Sequence, residues 1–171
     1  VCTRQADGAP RMTVHNADGS VPEMCGNGLR CFAKWLADRD PSVGDLLSVW
    51  TGAGQLTCDL HRGGDGMVAE VTVAMGCATW DPTLVPVAAD TPLVAAPFEL
   101  DGVTLALSAL ATGNPHAVTF SPLTSGEVRR LGPLLSTDPR FPAGVNAEFA
   151  RIVATPDGPT VHVDVFERGC G

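Results

Sequence analysis

The sequence predicts an α+β protein organised in two halves. Short strand-like runs separated by glycine turns recur along the chain, which is typical of antiparallel sheets. One strong amphipathic helix pattern covers residues 26–38, where apolar residues recur at i, i+3, i+4 and i+7. Residues 77–97 contain four prolines and few periodic positions, so we expect this stretch to connect the two halves.

Each element is expected from its own local pattern. The strand-like runs lie at residues 11–16, 46–51, 55–60, 67–75, 102–110, 116–120, 148–154 and 160–166. The wide apolar face of the first helix, to which we assign Cys31 and Trp35, should pack against a sheet. A second, short helix is expected at 124–132, with Thr124 or Ser125 as its N-terminal cap.

Composition limits the classes of protein that this chain can represent. Its 171 residues are 44% hydrophobic and 18% charged, which suffices for a folded core. A formal net charge of −8 disfavours nucleic acid and anionic membrane surfaces as partners. No apolar stretch approaches the roughly 18 residues of a membrane span.

The six cysteines and four histidines indicate free thiols rather than a metal centre. The chain has no C-x-x-C pair, and its histidines do not fall at zinc-ligand spacing. A chain of this length and apolar content does not need disulfides. We therefore expect no metal and a cytoplasmic location.

The most informative segment is NADGSVPEMCGNGLRC, residues 16–31. It places Cys25 at the start of the first helix, where unpaired backbone N–H groups carry partial positive charge and favour a thiolate. The glycines beside it let backbone amides approach a ligand closely, and a helix start favours a bound carboxylate. The alternative is that Cys25 is a small buried hydrophobic residue.

This segment resembles the signature of the diaminopimelate epimerase family. Three further segments resemble the same family in the same order: GNPHAV at 113–118, FPAGVNAEF at 141–149 and VFERGCG at 165–171. The resemblance implies two similar domains, each a mostly antiparallel barrel-like sheet around a central helix. The corresponding ranges here are residues 1–79 and 80–171, and both domains are expected to be partial.

The resemblance also implies a function. The family interconverts LL- and meso-diaminopimelate without a cofactor, in lysine and peptidoglycan precursor biosynthesis, and the resemblance suggests a homodimer. One cysteine thiolate removes the α-proton, and a second cysteine delivers a proton to the opposite face. Cys25 matches the first of this pair, and His116 matches a histidine near the active site. The residues that match substrate-binding positions are Asn16, Gly26, Asn27, Asn114, Asn146, Glu167 and Arg168.

Two family motifs have no counterpart in the sequence. These are an N-terminal Gly-Asn-Asp-Phe and the Ala-Cys-Gly-Ser/Thr-Gly that carries the second cysteine; Cys170 lies in the turn before the latter. We therefore expect a fragment that is inactive, or nearly so, by itself. Three alternatives remain open: a proline racemase or hydroxyproline epimerase type of enzyme, a non-catalytic binding protein on the same fold, and a structural zinc protein.

Overall fold

The computed structural model describes residues 1–5, 8–16 and 19–168. The chain divides into two compact units, Val1–Gly76 and Cys77–Gly171. The expected division after residue 79 falls just inside the second unit. Within the described residues, neither helix has the length and apolar character needed to cross a membrane.

The first unit is a five-stranded sheet with one helix. Its elements are β1 (Cys2–Arg4), β2 (Pro10–Met12), α1 (Gly26–Ala37), β3 (Leu46–Thr51), β4 (Gly54–Arg62) and β5 (Val68–Val73). The strands lie in the order β1-β2-β3-β4-β5. All neighbours are antiparallel except β2 and β3, which are parallel because α1 lies in the connection between them.

Helix α1 packs its apolar stripe against this sheet, as the sequence predicts. The buried residues of α1 are Leu29, Ala33, Leu36 and Ala37. They share a core with Val49, Cys58, Leu60 and Val68 of the strands. The helix begins and ends within one residue of the predicted bounds.

The assignment of Cys31 and Trp35 to the buried face is wrong. Cys31 is exposed, and 45% of the Trp35 surface is accessible. At 3.6 residues per turn, Cys31 lies about 200° around the helix from Leu29, on the side away from the sheet. Trp35 instead stacks on Phe32 and lies under the guanidinium of Arg39, which is 5.0 Å from the ring centroid.

The second unit is also a five-stranded sheet with one helix. Its elements are β6 (Ala96–Leu100), β7 (Val103–Ala111), β8 (Pro115–Thr119), α2 (Ser125–Ser136), β9 (Asn146–Thr155) and β10 (Gly158–Phe166). The order is β10-β9-β8-β7-β6, and only β8 and β9 are parallel. Helix α2 packs on one face of this sheet through Val128, Leu131 and Leu135.

Several boundaries differ from those expected. Only residues 11 and 12 of the run at 11–16 lie in a strand, and β1 and β6 were not predicted. Helix α2 continues past Pro133, where the predicted helix stops. The carbonyl of Pro133 accepts hydrogen bonds from the hydroxyls of Ser136 and Thr137, which stabilise the last turn. The predicted class, an α+β protein with two mostly antiparallel sheets, is confirmed.

Candidate active site

Cys25 is the N-cap of α1. Its backbone is extended, with φ −137° and ψ 103°, and its Sγ accepts a hydrogen bond from the N–H of Gly28 at 3.3 Å. Its carbonyl accepts the first intrahelical bond, from the N–H of Leu29, at 2.8 Å. The half-buried sulfur therefore occupies the position where a serine or aspartate oxygen caps other helices, among N–H groups that favour negative charge.

The segment before Cys25 is fixed by the turn between β3 and β4. The carbonyl of Glu23 accepts the N–H of Ala53 at 2.7 Å. A Cβ on Gly52 would lie 2.7 Å from the same carbonyl oxygen, so only glycine permits this approach. The sheet thus positions the start of α1 through backbone contacts two residues before the cysteine.

A side chain at either glycine that follows Cys25 would contact its neighbours closely. A Cβ on Gly28 would lie 3.2 Å from Sγ of Cys25, and one on Gly26 would lie 3.6 Å from the side chain of Met75. Asn27 is exposed, and its Oδ1 accepts a hydrogen bond from the guanidinium of Arg30. The side chain of Asn27 therefore contacts Arg30, one turn further along α1.

Asn16 closes a turn ahead of this helix. Its Nδ2 donates to Oγ of Ser20 at 3.0 Å, and its backbone N–H donates to the carbonyl of Ser20 at 2.9 Å. The N–H of Gly19 donates back to the carbonyl of Asn16 at 3.0 Å. The described contacts of Asn16 are therefore those of a turn residue.

In the second unit, the structure brings Asn114, His116 and Asn146 together at one end of β8 and β9. His116 and Asn146 are paired neighbours across the two parallel strands. Nε2 of His116 lies 2.9 Å from Oδ1 of Asn114, and Nδ1 lies 2.6 Å from Oε1 of Glu148. The side chains of His116 and Glu148 are only 24% and 13% exposed.

Asn146 also fixes the backbone that follows β10. Its Oδ1 accepts the N–H of Arg168 at 2.9 Å, and Asn146 is buried. The guanidinium of Arg168 donates to the carbonyl of Ala143 at 3.2 Å, and its methylenes cover Gly144. Glu167 is exposed. Cys170 lies outside the described residues.

Arg168 borders a shallow cavity of about 300 Å³. The cavity is lined by Ser136, Thr137, Asp138, Pro139, Phe141, Pro142, Gly144 and Arg168. Asp138 is bound by Arg140, with Nε–Oδ1 and Nη2–Oδ2 distances of 2.8 Å. These bonds hold the pKa of Asp138 below its usual value. The carboxylate is therefore paired within the wall of the cavity.

The other described cysteines differ from Cys25 in their surroundings. Cys2, Cys31 and Cys77 are exposed, whereas Cys58 is buried in the core of the first unit. Burial raises the pKa of the Cys58 thiol and keeps it neutral. Cys58 is thus the small buried hydrophobic residue that was considered above as an alternative for Cys25.

Glu148 is a candidate site residue that the sequence analysis did not single out. It is the acidic residue in the apolar run of β9, two positions after Asn146 and therefore on the same face of the strand. The two-residue spacing of Asn146 and Glu148 is visible in the sequence. That Glu148 lies beside His116 follows only from the pairing of β9 with β8.

Solved structures of amino-acid racemases and epimerases share the fold of this chain. A hydroxyproline epimerase from Agrobacterium vitis superposes with a TM-score of 0.68 and 17% identity, over 96% of this chain and 50% of that one. A probable proline racemase from Agrobacterium radiobacter K84 gives a TM-score of 0.63 at 17% identity, over 96% of this chain and 51% of that one. The fold class is therefore that of these two proteins.

The sequence comparisons show which proteins this chain resembles. Residues 1–80 match the family model described as diaminopimelate epimerase. The diaminopimelate epimerase of Thioalkalivibrio sulfidiphilus is 36% identical over 162 residues, covering 94% of this chain and 55% of that protein. That of Desulfitobacterium hafniense is 40% identical over 163 residues, covering 94% and 56%. By sequence, the chain is similar to the diaminopimelate epimerases, and it spans a little over half the length of these relatives.

Proposed function

We propose that this chain is part of an isomerase that interconverts LL- and meso-diaminopimelate, with the Cys25 thiolate as one of its two bases. The observation that carries the proposal is the hydrogen bond from the Gly28 N–H to Sγ of Cys25 at the start of α1. A negative sulfur is favoured there by this bond and by the positive end of the helix. The curated relatives named diaminopimelate epimerase support the substrate.

The proposed reaction is a balanced transfer of protons with no redox step. Sγ of Cys25 removes the α-proton from one face of the amino acid, and the electron pair of the C–H bond remains on the α-carbon beside its carboxylate. An acid on the opposite face, a second cysteine thiol in the family, then protonates the carbon. Backbone N–H groups at the start of α1, from Gly26 and Asn27, would stabilise the carboxylate as negative charge develops.

The remaining predicted residues would bind the polar groups of the substrate. Asn114 and Asn146 supply amides, and the Arg168 guanidinium suits the distal carboxylate because it can bind both oxygens. Glu167 suits the distal ammonium group. Asn16 would act through the turn that precedes the helix.

Cys25 is the one catalytic base that we assign to this chain. The 171-residue chain alone would therefore be inactive, or nearly so, as an epimerase. Inversion needs an acid and a base on opposite faces, and residues 1–171 contain no Ala-Cys-Gly-Ser/Thr-Gly motif. The chain alone would at best exchange the α-proton on one face. As a further part of this proposal, the enzyme acts in lysine and peptidoglycan precursor synthesis, in the cytoplasm, as a homodimer and without a cofactor.

The alternative substrate is proline or hydroxyproline, since the two structures that share the fold act on, or are named for, such amino acids. Sequence favours diaminopimelate, with identities of 36–40% to the relatives named above against 17% to these structures. Diaminopimelate has a distal carboxylate, which Arg168 could bind, and a distal ammonium group, which Glu167 could bind. Proline has neither group.

Incubation with meso-diaminopimelate in D₂O tests the proposal. We expect slow incorporation of α-deuterium without inversion, lost in Cys25→Ala and retained in Cys31→Ala, which removes an exposed thiol from the same helix. Inverted, deuterated product at the rate of a complete enzyme would contradict the proposed inactivity. Exchange of proline alone would favour the alternative enzyme, and binding without exchange would favour a non-catalytic binding protein.

A further inference from the structure

Both ring nitrogens of His116 face oxygen atoms. Nδ1 lies 2.6 Å from the carboxylate Oε1 of Glu148, and Nε2 lies 2.9 Å from the amide Oδ1 of Asn114. Beside an ionised Glu148, a neutral imidazole with its one N–H satisfies one of these two oxygens, whereas an imidazolium satisfies both. The contacts as they stand therefore fit a positively charged His116.

The residues paired with His116 and Glu148 in the sheet carry no charge. Glu148 lies beside Val118 on β8 and Val165 on β10, while His116 lies beside Leu110 on β7 and Asn146 on β9. None of these paired neighbours is ionisable. Glu148 is thus the anionic partner of His116 among the residues that flank the two in the sheet, and both side chains are mostly buried.

The ion pair also has to offset the burial of the second carboxylate oxygen. Oε2 of Glu148 is buried and has no hydrogen-bond partner among the described residues. A carboxylate with one oxygen unsatisfied in a place of low polarity needs a charged partner nearby to remain ionised. A protonated His116, with Nδ1 2.6 Å from Oε1, would be that partner.

The charge of His116 decides which way the amide of Asn114 points. When Nε2 carries a proton, Asn114 must present Oδ1 to it, and its Nδ2 group then faces away from the ring. When Nε2 carries no proton, the amide must turn over so that Nδ2 donates to the ring and Oδ1 faces away. The first orientation offers two N–H donors to a ligand, which suits a carboxylate; the second offers an acceptor and does not.

We propose that Glu148 is a positioning residue of the substrate site: it pairs with a protonated His116, which holds the Asn114 amide with its N–H₂ group directed outward to donate to a substrate carboxylate. The identity of that carboxylate rests on the proposed function. The pairing itself does not, because all three side chains belong to the second unit and their contacts exist without a ligand.

Nitrogen-15 NMR of the ring nitrogens in the 171-residue chain at neutral pH tests the pairing without any substitution. We expect both nitrogens of His116 to carry protons, and the Asn114 N–H₂ protons to show no NOE to the ring. His61 and His162 serve as internal references. A neutral His116 ring, or a strong NOE from the Asn114 N–H₂ protons to His116, would overturn the proposal.

Glu148→Gln keeps the size of the side chain and removes its charge. We expect the His116 ring to become neutral with its proton on Nδ1, and the Asn114 amide to turn over, producing the NOE that the wild-type chain lacks. Glu148→Asp should restore the protonated ring. Glu70→Gln is the matched control, because Glu70 is also paired with a histidine, His61, across neighbouring strands in the first unit. It should leave His116 unchanged, and a neutral ring in this control would overturn the assignment to Glu148.

Titration with meso-diaminopimelate separates this proposal from the proposed function. Loss of one hydrogen bond to a charged group corresponds to roughly tenfold weaker binding or more, so Glu148→Gln should weaken binding by that factor and Glu148→Asp by less. If the wild-type chain shows the protonated ring but binds no diaminopimelate, the proposed function fails while the pairing is supported. If Glu148→Gln neutralises the ring and binding is unchanged, the proposed role of Glu148 in the site is overturned.

Discussion

The N–H of Gly28 donates to Sγ of Cys25 at 3.3 Å, so the proposed catalytic sulfur is also the cap of its own helix. Serine is a strong N-cap, and alanine is a poor one. The free energy of unfolding of Cys25→Ser, measured by urea denaturation, should therefore be about 1 kcal/mol higher than that of Cys25→Ala. Both variants should lose α-proton exchange. Equal stability of the two variants would mean that the side chain at this position does not cap α1.

The close approach of Gly52 to Glu23 predicts that a methyl group at this position disturbs the start of α1. A Cβ on Gly52 would lie 2.7 Å from the Glu23 carbonyl oxygen, and backbone atoms cannot yield as a flexible side chain can. Gly52→Ala should destabilise the chain by about 1–3 kcal/mol. Gly44→Ala, where a Cβ meets nothing within 4 Å, is the control and should be neutral or slightly stabilising. Similar denaturation midpoints for both variants would refute the argument.

Helix α2 depends on a reciprocal cap. The Thr124 hydroxyl accepts the N–H of Glu127 at 3.3 Å, and the Glu127 carboxylate accepts the N–H of Thr124 at 2.8 Å. Thr124→Ala removes one half of this arrangement and should lower the free energy of unfolding by about 1 kcal/mol. Thr124→Ser keeps the hydroxyl and should restore most of the loss. A serine variant as unstable as the alanine variant would show that the methyl group, and not the hydroxyl, is what matters.

The pairing of Asp138 with Arg140 predicts a pH dependence of stability. Hydrogen bonds from Arg140 hold the pKa of Asp138 below its usual value of about 3.9, so near that pH the unfolded chain binds more protons than the folded one. The stabilisation is complete above that value and is lost as pH falls through the folded pKa.

Asp138→Asn should therefore be less stable at neutral pH and should lose stability less steeply below about pH 4 than the wild-type chain. Urea unfolding across that range measures the difference, and Arg140→Gln should give the same shallower slope. An unchanged acid limb in either variant would show that the pair does not contribute to the pH dependence.

Local patterns were enough to predict much of the fold. The period of the apolar residues and the glycines around Cys25 located α1 to within one residue, and each predicted strand run overlaps a strand. The errors have physical causes. The strand β1 has three exposed residues and so no buried face to give a pattern, and the apolar residues Cys31 and Trp35 do not face the sheet.

The candidate site was predictable only where its residues are close in sequence. Cys25, Gly26 and Asn27 share one helix start, and the structure shows the expected geometry there. The contact of His116 with Glu148 joins residues 32 positions apart through a parallel strand pair, so it depends on tertiary structure. The same applies to the bond between Asn146 and the backbone of Arg168.

Alkylation by iodoacetamide at neutral pH, followed residue by residue by mass spectrometry, tests most directly whether Cys25 is an activated thiolate. Cys31 is the internal reference, since it lies on the same helix and is the more exposed of the two. If exposure alone decided the rate, Cys31 would react faster. We predict that Cys25 reacts faster in spite of its partial burial, because the N–H groups at the start of α1 stabilise its thiolate. A Cys25 that reacts no faster than Cys31 would contradict it.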